Sequence, residues 1–151
     1  MNETNKQPKS WQYASMVSKL GKWAWIAGLI NGILELIFAF AGIGIGVAAN
    51  AVWYPIVVYS PAYDIWQIIG GIILIFVSFA IIRPKFSNKC AAQDWESLYN
   101  WVLTAGNTII PWMLIWGIIF TIFSWYYWGG IFVLLPAILL IFMGPREYKW
   151  S

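Results

Sequence analysis

The sequence predicts an all-α fold: an integral membrane four-helix bundle of two parallel-repeat helical hairpins, with short interfacial amphipathic helices on the cytoplasmic side. Three observations carry this expectation. Of the 151 residues, 61% are hydrophobic and only 10% are charged. Soluble domains carry roughly 25% charge, and so few charged groups argue against a water-facing enzyme domain. Disorder is excluded as well, because it needs low hydrophobicity and few aromatics. The apolar residues also gather into four long runs, and the nine basic residues all fall outside these runs, on one side.

Residues 1–22 read as a cytoplasmic N-terminal segment. Within it, 10–22 places Trp11, Met16, Val17 and Leu20 at roughly helical spacing, and Lys19 and Lys22 suit anionic headgroups. The first transmembrane hairpin covers 23–83. Its first helix lies in the 27-residue stretch Trp23–Ala49, whose only ionisable group is Glu35; a spanning helix needs about 20 apolar residues. A secretory signal has a shorter apolar core, about 7–15 residues, so the run reads as a retained span. The second helix lies in Ile65–Ile82, where Gln67 is the most polar residue.

Between these helices lies an outer insert, 42–64, rich in apolar and aromatic residues. Trp53, Tyr54, Pro55, Tyr59 and Tyr63 are its candidate partner contacts, since an exposed apolar patch marks an interaction surface. The alternative is an insert folded over its own helix ends or dipped into the lipid interface. The cytoplasmic connection 84–107 contains a second amphipathic segment at 94–105. There Trp95, Leu98, Tyr99, Val102 and Leu103 form one apolar helical stripe behind an Asp94 N-cap.

The second hairpin covers 108–144, with helices at about 108–128 and 129–144. The reversal is placed at Trp128–Ile131, where the glycine pair suits a turn needing positive φ. Pro111 and Pro136 are expected to kink these helices. Residues 145–151 form a cytoplasmic tail.

Charge sets the orientation. Lys6, Lys9, Lys19 and Lys22 precede the first helix, Arg83, Lys85 and Lys89 follow the second, and Arg146 and Lys149 follow the fourth. The positive-inside rule then places both termini in the cytoplasm, as in a multi-pass protein of the cell (plasma) membrane. Trp and Tyr near the span ends fit interfacial belts, although a cage for a cationic ligand uses the same residues.

The two hairpins resemble each other. Leu29–Phe40 aligns without gaps to Leu114–Trp125 with six of 12 positions identical, and Gly70-Gly71-Ile72 parallels Gly129-Gly130-Ile131. Small residues let membrane helices approach closely, which makes Gly28, Gly32, Gly70, Gly71 and Gly117 the candidate packing positions. The copies diverge at Glu35, which aligns with Phe120. An acid at a span centre costs on the order of 2.5–3.5 kcal/mol, so Glu35 must face protein or water. Asn31, at i−4, is placed to share a hydrogen bond with it. Three roles stay open for this polar pair: a structural bond to another helix, a subunit contact, or proton or cation coupling.

The residue inventory narrows the chemistry. The chain has no His and one Cys, so imidazole chemistry and thiolate metal clusters are not expected. No catalytic, metal or cofactor residues are assigned, and no nucleic-acid partner is expected from a charge of +3. The preferred functional expectation is a non-catalytic structural or accessory subunit of a larger membrane complex. Its partners would be membrane lipids and other integral membrane subunits or further copies of itself. The alternative is a small homo-oligomeric transporter or channel that uses Glu35.

Overall fold

The computed structural model describes residues 11–53 and 59–150, and they are mostly helical. Helix α1 spans Ala14–Trp53, and α2 spans Ala62–Val77. A π-helical stretch, Ser78–Ser87, carries α2 on into α3, Asn88–Ala91. Then come α4 (Trp95–Tyr99), β1 (Val102–Ala105), β2 (Thr108–Pro111), α5 (Trp112–Phe123), a 3₁₀ turn (Trp125–Gly130) and α6 (Ile131–Met143). Two helices, Ala14–Val52 and Ala62–Ala91, are long and apolar enough to cross a membrane. With 12 and 13 residues, α5 and α6 cover only about 18 and 20 Å at 1.5 Å per residue.

Helix α1 corrects two expectations. Residues from Ala14 onward are the first turns of one helix, not a separate interfacial helix, and residues 42–53 continue that helix instead of forming a loop. No proline interrupts the chain from Ala14 to Trp53, and the next proline is Pro55. Backbone hydrogen bonding therefore propagates along the whole segment. Its buried side is a seam spaced by three and four residues: Val17, Gly21, Ala24, Gly28, Asn31, Glu35 and Ala39. That is the spacing of a left-handed coiled-coil stripe, built here mainly from small residues.

Small residues bring the helices together. A methyl group added at Gly32 would lie 2.7 Å from the Gly71 carbonyl oxygen, and one added at Gly71 would lie 2.7 Å from the Gly32 carbonyl oxygen. Gly28 packs against Phe120 and Ser78, Gly21 against Cys90, and Gly117 against Leu134. Leu74, Met113, Phe120, Val133, Ala137 and Leu140 fill the rest of the core. Apolar residues also line the outside, including Ile33, Ile37 and Phe40 on α1 and Ile69, Ile72 and Phe76 on α2.

Pro84 and Pro111 set helix bounds other than those read from the apolar runs. Pro84 sits inside the π-helical stretch, so the second helix does not end at residue 82. A wider turn accommodates the missing N–H and the ring's clash with the carbonyl four residues back. Pro111 does not kink a helix; it is the extended residue immediately before α5, where a missing N–H costs nothing. Pro136 remains inside α6.

The 84–107 connection is only partly helical, which corrects the all-α expectation. Helix stops after α4, and Val102–Ala105 pairs antiparallel with Thr108–Pro111, Val102 opposite Pro111 and Ala105 opposite Thr108. Gly106, at φ 61°, makes the tight turn with Asn107. Val102, Thr104, Thr108, Ile109 and Ile110 favour strands because their branched β-carbons suit a pleated surface. The apolar stripe at Val102 and Leu103 therefore belongs to a hairpin.

Asp94 does cap α4. Its carboxylate accepts from the Ser97 amide (3.1 Å), the Ser97 hydroxyl (2.6 Å) and the Lys89 ammonium (2.9 Å). The bonds from Ser97 and Lys89 hold its pKa down at about 2. Because that value is depressed, the cap contributes fully above the ordinary carboxylate value of 3.8 and is lost as pH falls through about 2. Asp94→Asn keeps an acceptor and is expected to remove this acid-dependent loss, as read by amide hydrogen exchange across 95–99 from pH 5 to pH 2 (roughly the window in which a carboxylate titrates). An unchanged pH profile in the variant would contradict the assignment.

At the same end, Trp11 meets Trp95 edge-on and donates to the Met143 carbonyl. The Tyr99 hydroxyl hydrogen-bonds the carbonyls of Leu140 (2.6 Å) and Arg146 (3.0 Å). These contacts tie the connection to the end of α6.

Candidate functional site

Glu35 projects from the α1 seam and is 5% exposed. Its carboxylate faces the Gln67 side chain on α2 across a shared cavity, and Oε2 is buried without a partner. Asn31 does not bond to Glu35. Its Nδ2 donates to the Ala27 carbonyl at 3.0 Å, leaving Oδ1 buried without a partner. The two candidate residues share one face, but Asn31 serves its own helix.

A cavity of about 250 Å³ lies beside Glu35. Glu35 comes from α1, Gln67 and Gly70 from α2, and Ile122, Phe123, Ser124 and Tyr127 from the second hairpin; Tyr63 and Trp66 complete the lining. The Trp66 ring stacks on Phe123 with centroids 5.1 Å apart. Gly70 does not carry the closest helix packing: its missing side chain leaves Phe123 room, with an added methyl 3.3 Å from the ring. The Ser124 hydroxyl donates to the Phe120 carbonyl, so toward the cavity Ser124 offers lone pairs.

The reversal after α5 completes the wall. Positive φ falls at Tyr127 (62°) and not at Gly129 or Gly130, which corrects the expectation for this turn. The glycines are needed for space instead. A methyl at Gly129 would strike Ser124 Oγ and Asn31 Nδ2, and one at Gly130 would strike Thr121 Oγ1.

The outer insert is not a simple contact surface. The Tyr59 ring lies over Gly46, and Asp64 lies over Gly42. The Tyr59 hydroxyl donates to Asp64 Oδ2 at 2.5 Å, and Asp64 is buried. Tyr63 is 65% exposed and borders the cavity. Trp53 closes α1, while Tyr54 and Pro55 lie outside the described residues.

The bond to Asp64 pushes the Tyr59 pKa up to about 12, since a phenolate there would face a carboxylate. The neutral hydroxyl is the favoured form, so this contact stabilises below pH 10 and is lost as pH rises through about 12. A spectrophotometric tyrosine titration is expected to show Asp64→Asn moving one ionisation back toward 10. If Asp64→Asn leaves the titration unchanged, the contact is not formed.

Gln67 and Ser124 line the polar region beside Glu35, although the sequence singles out only Asn31 and Glu35, whereas Asp64 pairs with Tyr59. Gln67 carries a signal, as the most polar residue of its run. The inward turn of Tyr59 and Asp64 carries none, because it depends on glycines 13 and 22 residues away. Among the described residues, no group of three or more His, Cys, Asp or Glu could hold a metal ion.

No protein-family model matches the chain, and comparisons with curated proteins and with solved structures likewise return no match.

Proposed function

We propose that the chain is a four-span membrane protein with cytoplasmic termini, and that Glu35 is its site of proton or cation coupling in a small transporter or channel. One observation carries this reading: a buried acid with an unpartnered oxygen borders a cavity formed between the two hairpins. An acid kept at a span centre against its insertion cost is a functional residue by default. The apolar exteriors of α1 and α2 suit lipid, and Lys89 and Arg146, paired with Asp94 and Glu96 on either side of Trp95, lie at the end where Trp11 packs. After reconstitution into vesicles, Glu35→Gln is expected to abolish a pH-dependent flux while leaving the helical content intact. Unchanged flux removes the reading.

Matched contacts support an internal duplication. Gly32 meets Ile75, and Gly71 meets Leu36. In the second hairpin Gly117 meets Leu134, and Gly130 meets Thr121. The same two sequence offsets that align Gly32 with Gly117 and Gly71 with Gly130 carry Leu36 to Thr121 and Ile75 to Leu134. Equivalent positions thus make equivalent helix–helix contacts.

A second reading, an accessory subunit of a larger membrane complex, is favoured by the apolar groove formed by Ile72, Ile75, Phe76, Phe79 and Ala80. Extraction from native membranes in mild detergent, followed by mass analysis, tests it: a subunit comes out with its partners. Recovery only as a free monomer sinks the idea.

A further inference from the structure

We infer that the Glu35 cavity takes a compact organic ammonium ion, a protonated amine on a small apolar or aromatic body; the inference rests on the coupling reading above and names the ligand class of the same site. Hydrogen-bond supply and demand define the ligand's polar end. Of the side chains that line the cavity, Glu35 leaves Oε2 buried without a partner, and a carboxylate oxygen is an acceptor. Ser124 has already given its proton to Phe120. A ligand entering beside Glu35 therefore has to bring donors, and a positive charge answers the one acidic group in the lining.

The walls define the other end. Trp66, Phe123 and Tyr127 present aromatic rings, which attract an ammonium through their negative faces and pack against an apolar body. A hydrated inorganic ion makes poor use of such walls. Size limits the guest, since about 250 Å³ falls below the range of roughly 300–1,000 Å³ typical of drug-sized ligands. Tyr127 adds an independent sign. It lines this cavity while holding φ at 62°, a left-handed conformation that costs a non-glycine residue energy and clusters at ligand sites.

The experiment uses the full chain in lipid nanodiscs, with 2-phenylethylammonium as probe and 2-phenylethanol as its uncharged counterpart, read by calorimetry. The ammonium is expected to bind at least about tenfold more tightly than the alcohol, and Glu35→Gln to weaken it about 10- to 100-fold, as for loss of a charged hydrogen bond. Tyr127→Gly is expected to weaken binding about 2- to 5-fold through loss of a cation–π wall while raising the thermal midpoint, a pairing that mere structural damage cannot produce. Ile122→Trp, at a half-exposed position of the lining, blocks the space without touching the acid and keeps the test open if Glu35→Gln misfolds. Equal binding of alcohol and ammonium, or unchanged ammonium affinity in Ile122→Trp, overturns the inference. A Glu35-dependent flux without ammonium binding overturns it and leaves the coupling reading standing. Ammonium binding without such a flux supports it and removes the coupling reading instead.

Discussion

Gly32→Ala is expected to destabilise the protein by about 1–2 kcal/mol, whereas Gly44→Ala in the same helix is expected to stabilise it by up to about 1 kcal/mol. Two effects compete at each position. Alanine improves helix propensity over glycine by about 0.8–1.0 kcal/mol in an exposed helix interior. Overpacking a close contact costs typically about 1–3 kcal/mol. At Gly44 an added methyl meets nothing within 4 Å, so propensity wins. At Gly32 it would lie 2.7 Å from both the Gly71 carbonyl oxygen and Ile75 Cγ1. The first of these is backbone, which cannot swing aside as a side chain can, so packing wins. Because Gly71 meets the Gly32 carbonyl across the same contact, the double variant Gly32→Ala with Gly71→Ala is expected to cost less than the sum of the single variants. Once one methyl has pushed the helices apart, the second finds room. Unfolding in lipid, compared across the four variants, tests the scheme, and equal effects at Gly32 and Gly44 would refute it.

Glu35→Leu is expected to make insertion of α1 into a membrane about 3 kcal/mol more favourable and to eliminate coupling at the cavity. A central acidic residue costs on the order of 2.5–3.5 kcal/mol on insertion scales, while leucine contributes a few tenths favourably. The folded protein gains less than this, because the buried Gln67 amide beside it loses a carboxylate neighbour and is left in an apolar setting. Removal of a destabilising group at a working site commonly exchanges function for stability. An insertion assay on α1 alone measures the first quantity, and flux from reconstituted vesicles measures the second. A Glu35→Leu variant that inserts no better than the native helix, or that still couples, would show that Glu35 is neither costly nor functional.

Much of this architecture was legible in the residues. The scarcity of charge, the long apolar runs and the lone acid in the first run follow from composition along the chain. The Asp94 cap was legible because N-capping is local: acceptor and donor lie three residues apart. The small residues at Gly21, Ala24 and Gly28 already carried the helix seam at three- and four-residue spacing, although only Gly28 and Gly32 stand out in this helix as packing positions by the small-residue pattern alone. The hairpin at 102–111 was harder to see. Residues 95–103 satisfy a helical stripe, but Gly106-Asn107 and the branched residues around it satisfy a strand pair, and two consecutive signals cannot both set one segment. The end of the second run near residue 82 was not the end of the helix, since a widened helix holds Pro84, which a regular helix would reject.

By itself the sequence determined where apolar segments lie, that one acid is set among them and that the halves echo each other, because transfer free energies and helix periodicity accumulate residue by residue. Tertiary structure alone decided that Asn31 turns to Ala27 and not to Glu35, that Gln67 meets the acid, and that Tyr59 closes onto Asp64. The Asn31 and Tyr59 bonds span only four and five residues, but which of the available partners each side chain takes is set by the helix packed against it, and the meeting of Glu35 with Gln67 joins two helices outright. Glycines at Gly42, Gly46, Gly71 and Gly129 permit that approach, and which side chain each vacancy admits is a property of the packed molecule.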